Sequence, residues 1–144
     1  MSFHDLPPGW AERPVTDADI FEDAVDLFAC QSSREQGCLY LLLCDGRGRV
    51  VQPIAIDDWG YDTHGLEQRR VLDRFVGHLA EFHVAHMVVV IARPGPLRAT
   101  GNDHQTRDAV EHVLADHGIG LLAVALAAPL GVRRWRRDVQ RRSA

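Results

Sequence analysis

A chain of 144 residues, 46% apolar and 25% charged, has the size and composition of one globular domain with a single core. Its formal net charge of −4 argues against a dedicated nucleic-acid protein, which carries an overall basic footprint. No apolar run approaches the ~20 residues of a membrane helix. The opening Met1-Ser2-Phe3-His4-Asp5 has neither part of a secretory signal, so a cytoplasmic protein with no membrane association is expected.

Residues 1–15, with Pro7, Pro8 and Pro14, read as an extended arm that Trp10 tacks onto the body. Thr16 is placed to cap a helix whose first turn holds Asp17 and Asp19, and Ile20, Phe21, Ala24, Val25 and Phe28 give it one apolar face. Gln31 to Gly37 is polar and breaks that helix. Cys38-Leu39-Tyr40-Leu41-Leu42-Leu43-Cys44 is apolar on both parities, the pattern of a strand covered on both faces. Asp45-Gly46-Arg47-Gly48 turns the chain into a second hairpin strand from Val50 to Ile56, where Pro53 requires an edge or a bulge.

After an acidic loop with Asp57, Asp58 and Asp62, helical spacing returns from Leu66 to Val84. Met87 to Ala92 is a β-branched strand that stops at Arg93-Pro94-Gly95-Pro96. Asn102 with Gln105 has the spacing of a capping box, opening a helix that runs to Gly118. Ile119 to Ala127 is the next strand, and Val132 to Trp135 a short last one. The expected fold is a single three-layer α/β domain, a mixed sheet with an N-terminal hairpin and parallel β-α-β crossovers. Its organisation is an arm over 1–15, the domain over 16–135, and a basic tail over 136–144.

Charge is unevenly spread. Residues 1–68 hold 13 acids and 4 arginines, a net of −9, and residues 69–144 hold 7 acids and 12 arginines, a net of +5. The halves complement each other within the fold or across a homodimer. All 16 basic residues are arginine, which suits a GC-rich coding bias as well as any function. Cys30, Cys38 and Cys44 are an odd set without metal-ligand spacing and read as buried reduced thiols.

Three places carry candidate chemistry. The loop from Arg93 to Asp103 stands where a strand feeds a helix N-terminus, and Arg93 and Arg98 with the N–H groups around Gly101 and Asn102 suit an anion. Asp57, Asp58 and Asp62 suit a cation or acid-base work if Asp103 approaches them. Arg133, Arg134, Trp135, Arg136 and Arg137 open an arginine-rich tail that can pair with phosphates, stack on bases, or receive a partner chain. The histidines lack convergent metal spacing: His78 and His83, like His112 and His117, are five apart, and His86 falls at a helix-to-strand junction.

The layout hairpin, helix, strand, Pro-rich loop, helix, strand resembles the JAB/MPN metallohydrolase fold, in particular its RadC-like branch. Leu41-Leu42-Leu43-Cys44-Asp45 with Gly48-Arg49-Val50-Val51 is similar to that family's first hairpin, and His86 to Pro94 to its metal-motif strand. The family motif is His-x-His-Pro, six residues, then Ser-x-x-Asp. Here Pro94 matches the proline, Thr100 stands for the serine and Asp103 for the aspartate, with a loop one residue shorter. Ile91 and Arg93 replace the histidines, and Gly37 falls near the glutamate. The resemblance therefore implies a family member without zinc.

The resulting expectation is a non-enzymatic cytoplasmic protein, without metal or cofactor, that works through association with a protein partner, an anion or a second copy of itself. The alternatives are a metal-dependent hydrolase with a relocated site, using Asp103 with some of Asp57, Asp58 and His104, and nucleic-acid binding through the arginine-rich C-terminus.

Overall fold

Apolar residues on both parities need cover on both faces, and β1 (Cys38–Cys44) has it along its whole length. Leu39, Leu41 and Leu43 pack with Leu72 and Val76 of α3 (Gly65–Leu79) and Val110 and Leu114 of α4 (Gly101–Asp116). Cys38, Tyr40, Leu42 and Cys44 pack with Phe21, Ala24 and Val25 of α1 (Phe21–Phe28). Strand side chains alternate between faces, so each parity feeds a different core layer. Burying one such leucine stabilises the fold by roughly 1.5–3 kcal/mol.

The computed structural model describes residues 3–59, 65–82 and 84–136. Among them, β1 is joined by β2 (Val50–Asp57), β3 (His86–Ala92), β4 (Gly120–Ala128) and β5 (Gly131–Arg134) in one sheet of order β2-β1-β3-β4-β5. β1 pairs antiparallel with β2 and β3, β3 parallel with β4, and β4 antiparallel with β5. The result is the expected three-layer α/β domain, with a mixed sheet between helices on both faces. Pro53 sits opposite Leu42 in the outer strand β2, where its missing N–H breaks no central ladder. The register irregularity falls instead beside Leu43 and Cys44, at the hairpin mouth.

Four local expectations are corrected. The N-terminal arm is not extended: 3₁₀ turns span Phe3–Asp5 and Trp10–Glu12, although Trp10 does tack it down, edge-on to Phe28 at 6.4 Å. Thr16 caps no helix. α1 starts at Phe21 because the guanidinium of Arg13 draws Asp17 (3.0 Å) and Asp19 (2.8 Å) into a salt-bridged turn. The segment from Gln31 to Gly37 contains a helix, α2 (Gln31–Gln36), that no apolar periodicity announces. Its anchor is the buried Arg34, which pairs with Asp26 at 2.7 Å and donates to the Ala29 and Ala128 carbonyls. Gly37 then ends it at φ 99, a conformation side-chain-bearing residues avoid. The fourth correction concerns α4. Its capping box is Thr100 with Asp103, two residues before the expected Asn102 with Gln105.

Asp62, His83, Arg137 and the tail over 137–144 lie outside the described residues.

Candidate functional site

At the C-terminal end of β3 the chain carries Arg93 inward, not toward solvent. Its guanidinium is 4% exposed and grips the fully buried Asp103 carboxylate with two bonds, Nε to Oδ1 at 3.1 Å and Nη2 to Oδ2 at 2.6 Å. The remaining donors go to the carbonyls of Pro94, Pro96 and Arg98. Asp103 Oδ2 also accepts the Thr100 N–H at 2.8 Å, closing the N-terminus of α4. One ion pair therefore folds the whole 93–103 loop around itself. All five guanidinium N–H groups are used, so the anion role expected of Arg93 has no donor left.

A second buried polar chain braces the neighbouring helices. Trp59 donates its indole N–H to Thr106 Oγ1 at 3.1 Å, and the Thr106 hydroxyl donates to Gln68 at 3.2 Å. It ties the segment after β2 to α4 and α3.

Arg98 behaves differently from Arg93. Its side chain is exposed and lines a cleft of ≈ 320 Å³ together with Leu97, Arg133, Arg134, Trp135 and Arg136. The two stretches singled out in the sequence, the loop after β3 and the start of the arginine tail, thus meet. Strand register explains how. Arg133 is opposite Leu126, a residue of the α3/α4 core layer, so its side chain projects on that face. Arg134 projects on the other face, where it lies 5.0 Å over the Phe21 ring and reaches the Thr16 carbonyl at 3.4 Å. Burial and then the charge of Arg136 hold the Arg134 pKa below its usual value. Trp135 is half-buried between the His104 ring, edge-on at 4.9 Å, and the Arg107 guanidinium, 4.8 Å over its face. Arg107 also donates to the Trp135 carbonyl at 2.8 Å. Among the described residues, no acidic side chain pairs with Arg98, Arg133 or Arg136. Gly101 and Asn102 open α4 but do not line the cleft.

The larger cavity, ≈ 650 Å³ between β2 and the end of α3, is walled by Val51, Ile54, Leu79, Phe82 and Val84. Among the described residues its one charged wall residue is Asp45, bonded to Arg49 at 2.8 Å, and its other polar groups are the Gln52 amide and the Cys44 thiol.

The carboxylates proposed for a relocated metal site do not assemble. Asp103 is held by Arg93, His104 packs on Trp135, and Asp57 and Asp58 are exposed at the end of β2. Among the described residues, no three His, Cys, Asp or Glu side chains are grouped to hold a cation. His117 instead caps α4 and bonds Asp73 of α3 at 2.8 Å, and His86 donates to the Asp45 carbonyl at 3.1 Å.

The cysteines divide in two. Cys38 and Cys44 are buried, and burial pushes both thiols up to about 11. Cys30 is exposed, against expectation, at the N-terminus of α2. Bonds from Ser32 and Ser33, each at 3.3 Å, lower its thiol to about 6. The adjacent Ser32-Ser33 was the signal available in the sequence, since two hydroxyls beside a cysteine mark a polar setting.

No family model and no curated protein sequence matches this chain.

Two outcomes are expected. Arg93→Met and Asp103→Asn, each leaving a buried charge without its counter-ion, should each cost about 3–5 kcal/mol in denaturant unfolding, with the double variant well below the sum. A loss under about 1 kcal/mol for either single variant would show that the pair does not hold the loop. Under native conditions iodoacetamide should alkylate Cys30 alone, with a rate that rises through pH about 6. Replacing Ser32 by Ala should move that midpoint upward, and an unchanged profile would remove the serine explanation.

Proposed function

We propose that this protein is a metal-free relative of the JAB/MPN fold that works by association, taking anionic groups into the cleft of Arg98, Arg133 and Arg136. The observation that carries the reading is the convergence on one cleft of three exposed arginines, from chain segments some 35 residues apart, that have no acidic partner among the described residues. Unpaired guanidiniums in a concave, partly apolar setting recognise carboxylates and phosphates through planar two-point hydrogen bonding.

The fit to the family's zinc is poor, for a chemical reason. At the position of a metal histidine stands Arg93, and its cation already occupies the carboxylate of Asp103. Ile91, on the same strand, has no donor atom. The reading is therefore of a protein that recognises and does not hydrolyse, and no reaction step is assigned to it. Its placement in the cytoplasm is part of the same proposal, supported by three unpaired cysteines, the usage of a reducing compartment. No described helix is long and apolar enough to cross a membrane.

A nucleic-acid role through the tail receives less support. The Trp135 ring, the one aromatic available there for base stacking, is engaged by Arg107 and His104.

Titration calorimetry with inorganic pyrophosphate tests the cleft. Binding is expected to weaken with salt, and Arg98→Ala or Arg133→Ala should each reduce affinity about tenfold, the loss of one charge-assisted contact. Absence of binding at low salt, or equal binding by both variants, would end the reading. Elemental analysis decides the rival: stoichiometric zinc or manganese in purified protein would restore the metallohydrolase, whereas sub-stoichiometric metal is expected.

A further inference from the structure

The cleft stands on one side of an edge strand whose other side is acidic. Trp135 N–H donates to the Val124 carbonyl at 2.8 Å, so the N–H of Arg134 faces away from β4. The carboxylate of Glu22 accepts it at 3.4 Å, which places α1's acidic side at the outer edge of β5. Residues 12–26 carry Glu12, Asp17, Asp19, Glu22, Asp23 and Asp26 against Arg13 alone. Of these, Glu12, Asp19 and Glu22 are exposed. Across β5, on the α4 face, lies Arg133, where the cleft is lined by Leu126, Ala99 and Trp135 of the α3/α4 core layer.

Among the described residues, no ion pair joins the two patches. Arg13 with Asp17 and Asp19, Arg34 with Asp26, Arg49 with Asp45, Arg93 with Asp103, and Arg107 with Glu111 all join residues of the same half. The sheet is the reason. Alternation along β5 sends Arg134 to the acidic face and Arg133 to the opposite one, with the strand between.

We infer that the occupant of the arginine cleft is the acidic α1 edge of a second copy of this chain. The inference rests on the reading of the cleft as an anion-taking surface. A two-fold axis running along the strands at the β5 edge exchanges the two faces of the sheet. Each acidic patch then meets the partner's cleft, and both contacts form in one closed, isologous pair. An axis normal to the sheet would instead set arginines against arginines. Like-charge opposition disfavours that arrangement. The same charges that guard β5 against indiscriminate strand addition thereby select one partner.

The test is sedimentation equilibrium on the full chain. At about 0.01 M salt, with a Debye length of ~30 Å, twice the 16.1 kDa chain mass is expected; at about 1 M salt, with ~3 Å, the chain mass. Arg133→Glu with Arg136→Glu should be monomeric at low salt, and so should Asp19→Arg with Glu22→Arg. A mixture of these two charge-reversed proteins should dimerise again, because both contacts are then complementary, and that rescue also shows both variants to be folded. A wild-type monomer at low salt, a dimer insensitive to either reversal, or a mixture that stays monomeric would each overturn the inference. Pyrophosphate titration of the wild-type protein separates the two failures: a monomer that still binds it through Arg133 sinks the self-association alone, and a monomer that does not bind it sinks the cleft as well.

Discussion

A guanidinium without a counter-ion inside a protein costs several kcal/mol, and Arg93 escapes that cost only because Asp103 reaches it from the first turn of α4. The pair does three things together. It neutralises two buried charges, satisfies the carbonyls of a loop with two prolines, and through Thr100 closes the helix N-terminus. The loop conformation follows, and with it the outward placement of Arg98. The candidate site is thus a by-product of charge neutralisation a few residues away.

That arrangement bears on chemistry as well as on shape. A carboxylate at a helix N-terminus beside the end of a buried strand is a place where a protein can hold a cation. Here the cation is covalently part of the chain, and it is permanently charged, so no metal competes for the position. What the domain retains is a rigid frame, with a two-faced core about a fully buried β1, on which the outer edge strand can display charge.

Two further arginines show how far this residue replaces apolar packing here. Arg34 anchors α2 by spanning Asp26, Ala29 and Ala128, and Arg107 braces Trp135 against α4. Each spreads its planar guanidinium between a carboxylate and backbone carbonyls, Arg34 with Asp26, Ala29 and Ala128 and Arg107 with Glu111 and Trp135, a geometry that a lysine cannot reproduce. In a chain whose basic residues are all arginine, buried cations serve as structural joints, while Arg98, Arg133 and Arg136 stay exposed.

The strands were legible in the amino-acid order because burial imposes a short, local code. Residues apolar on both parities from Cys38 to Cys44 imply two covered faces, and Pro53 confines its strand to an edge. The charge asymmetry between the halves was equally plain. Local pattern failed where long-range polar contacts replaced it: Arg13 drew Asp17 and Asp19 away from a helix start, and Arg34 built a helix without a hydrophobic stripe. Sequence could nominate Arg93 and Arg98 together, as two guanidiniums flanking one loop. Only tertiary structure turned the first into the core and the second toward Arg133 and Arg136, because the meeting of charges distant along the chain depends on sheet register and helix docking, which no local spacing encodes.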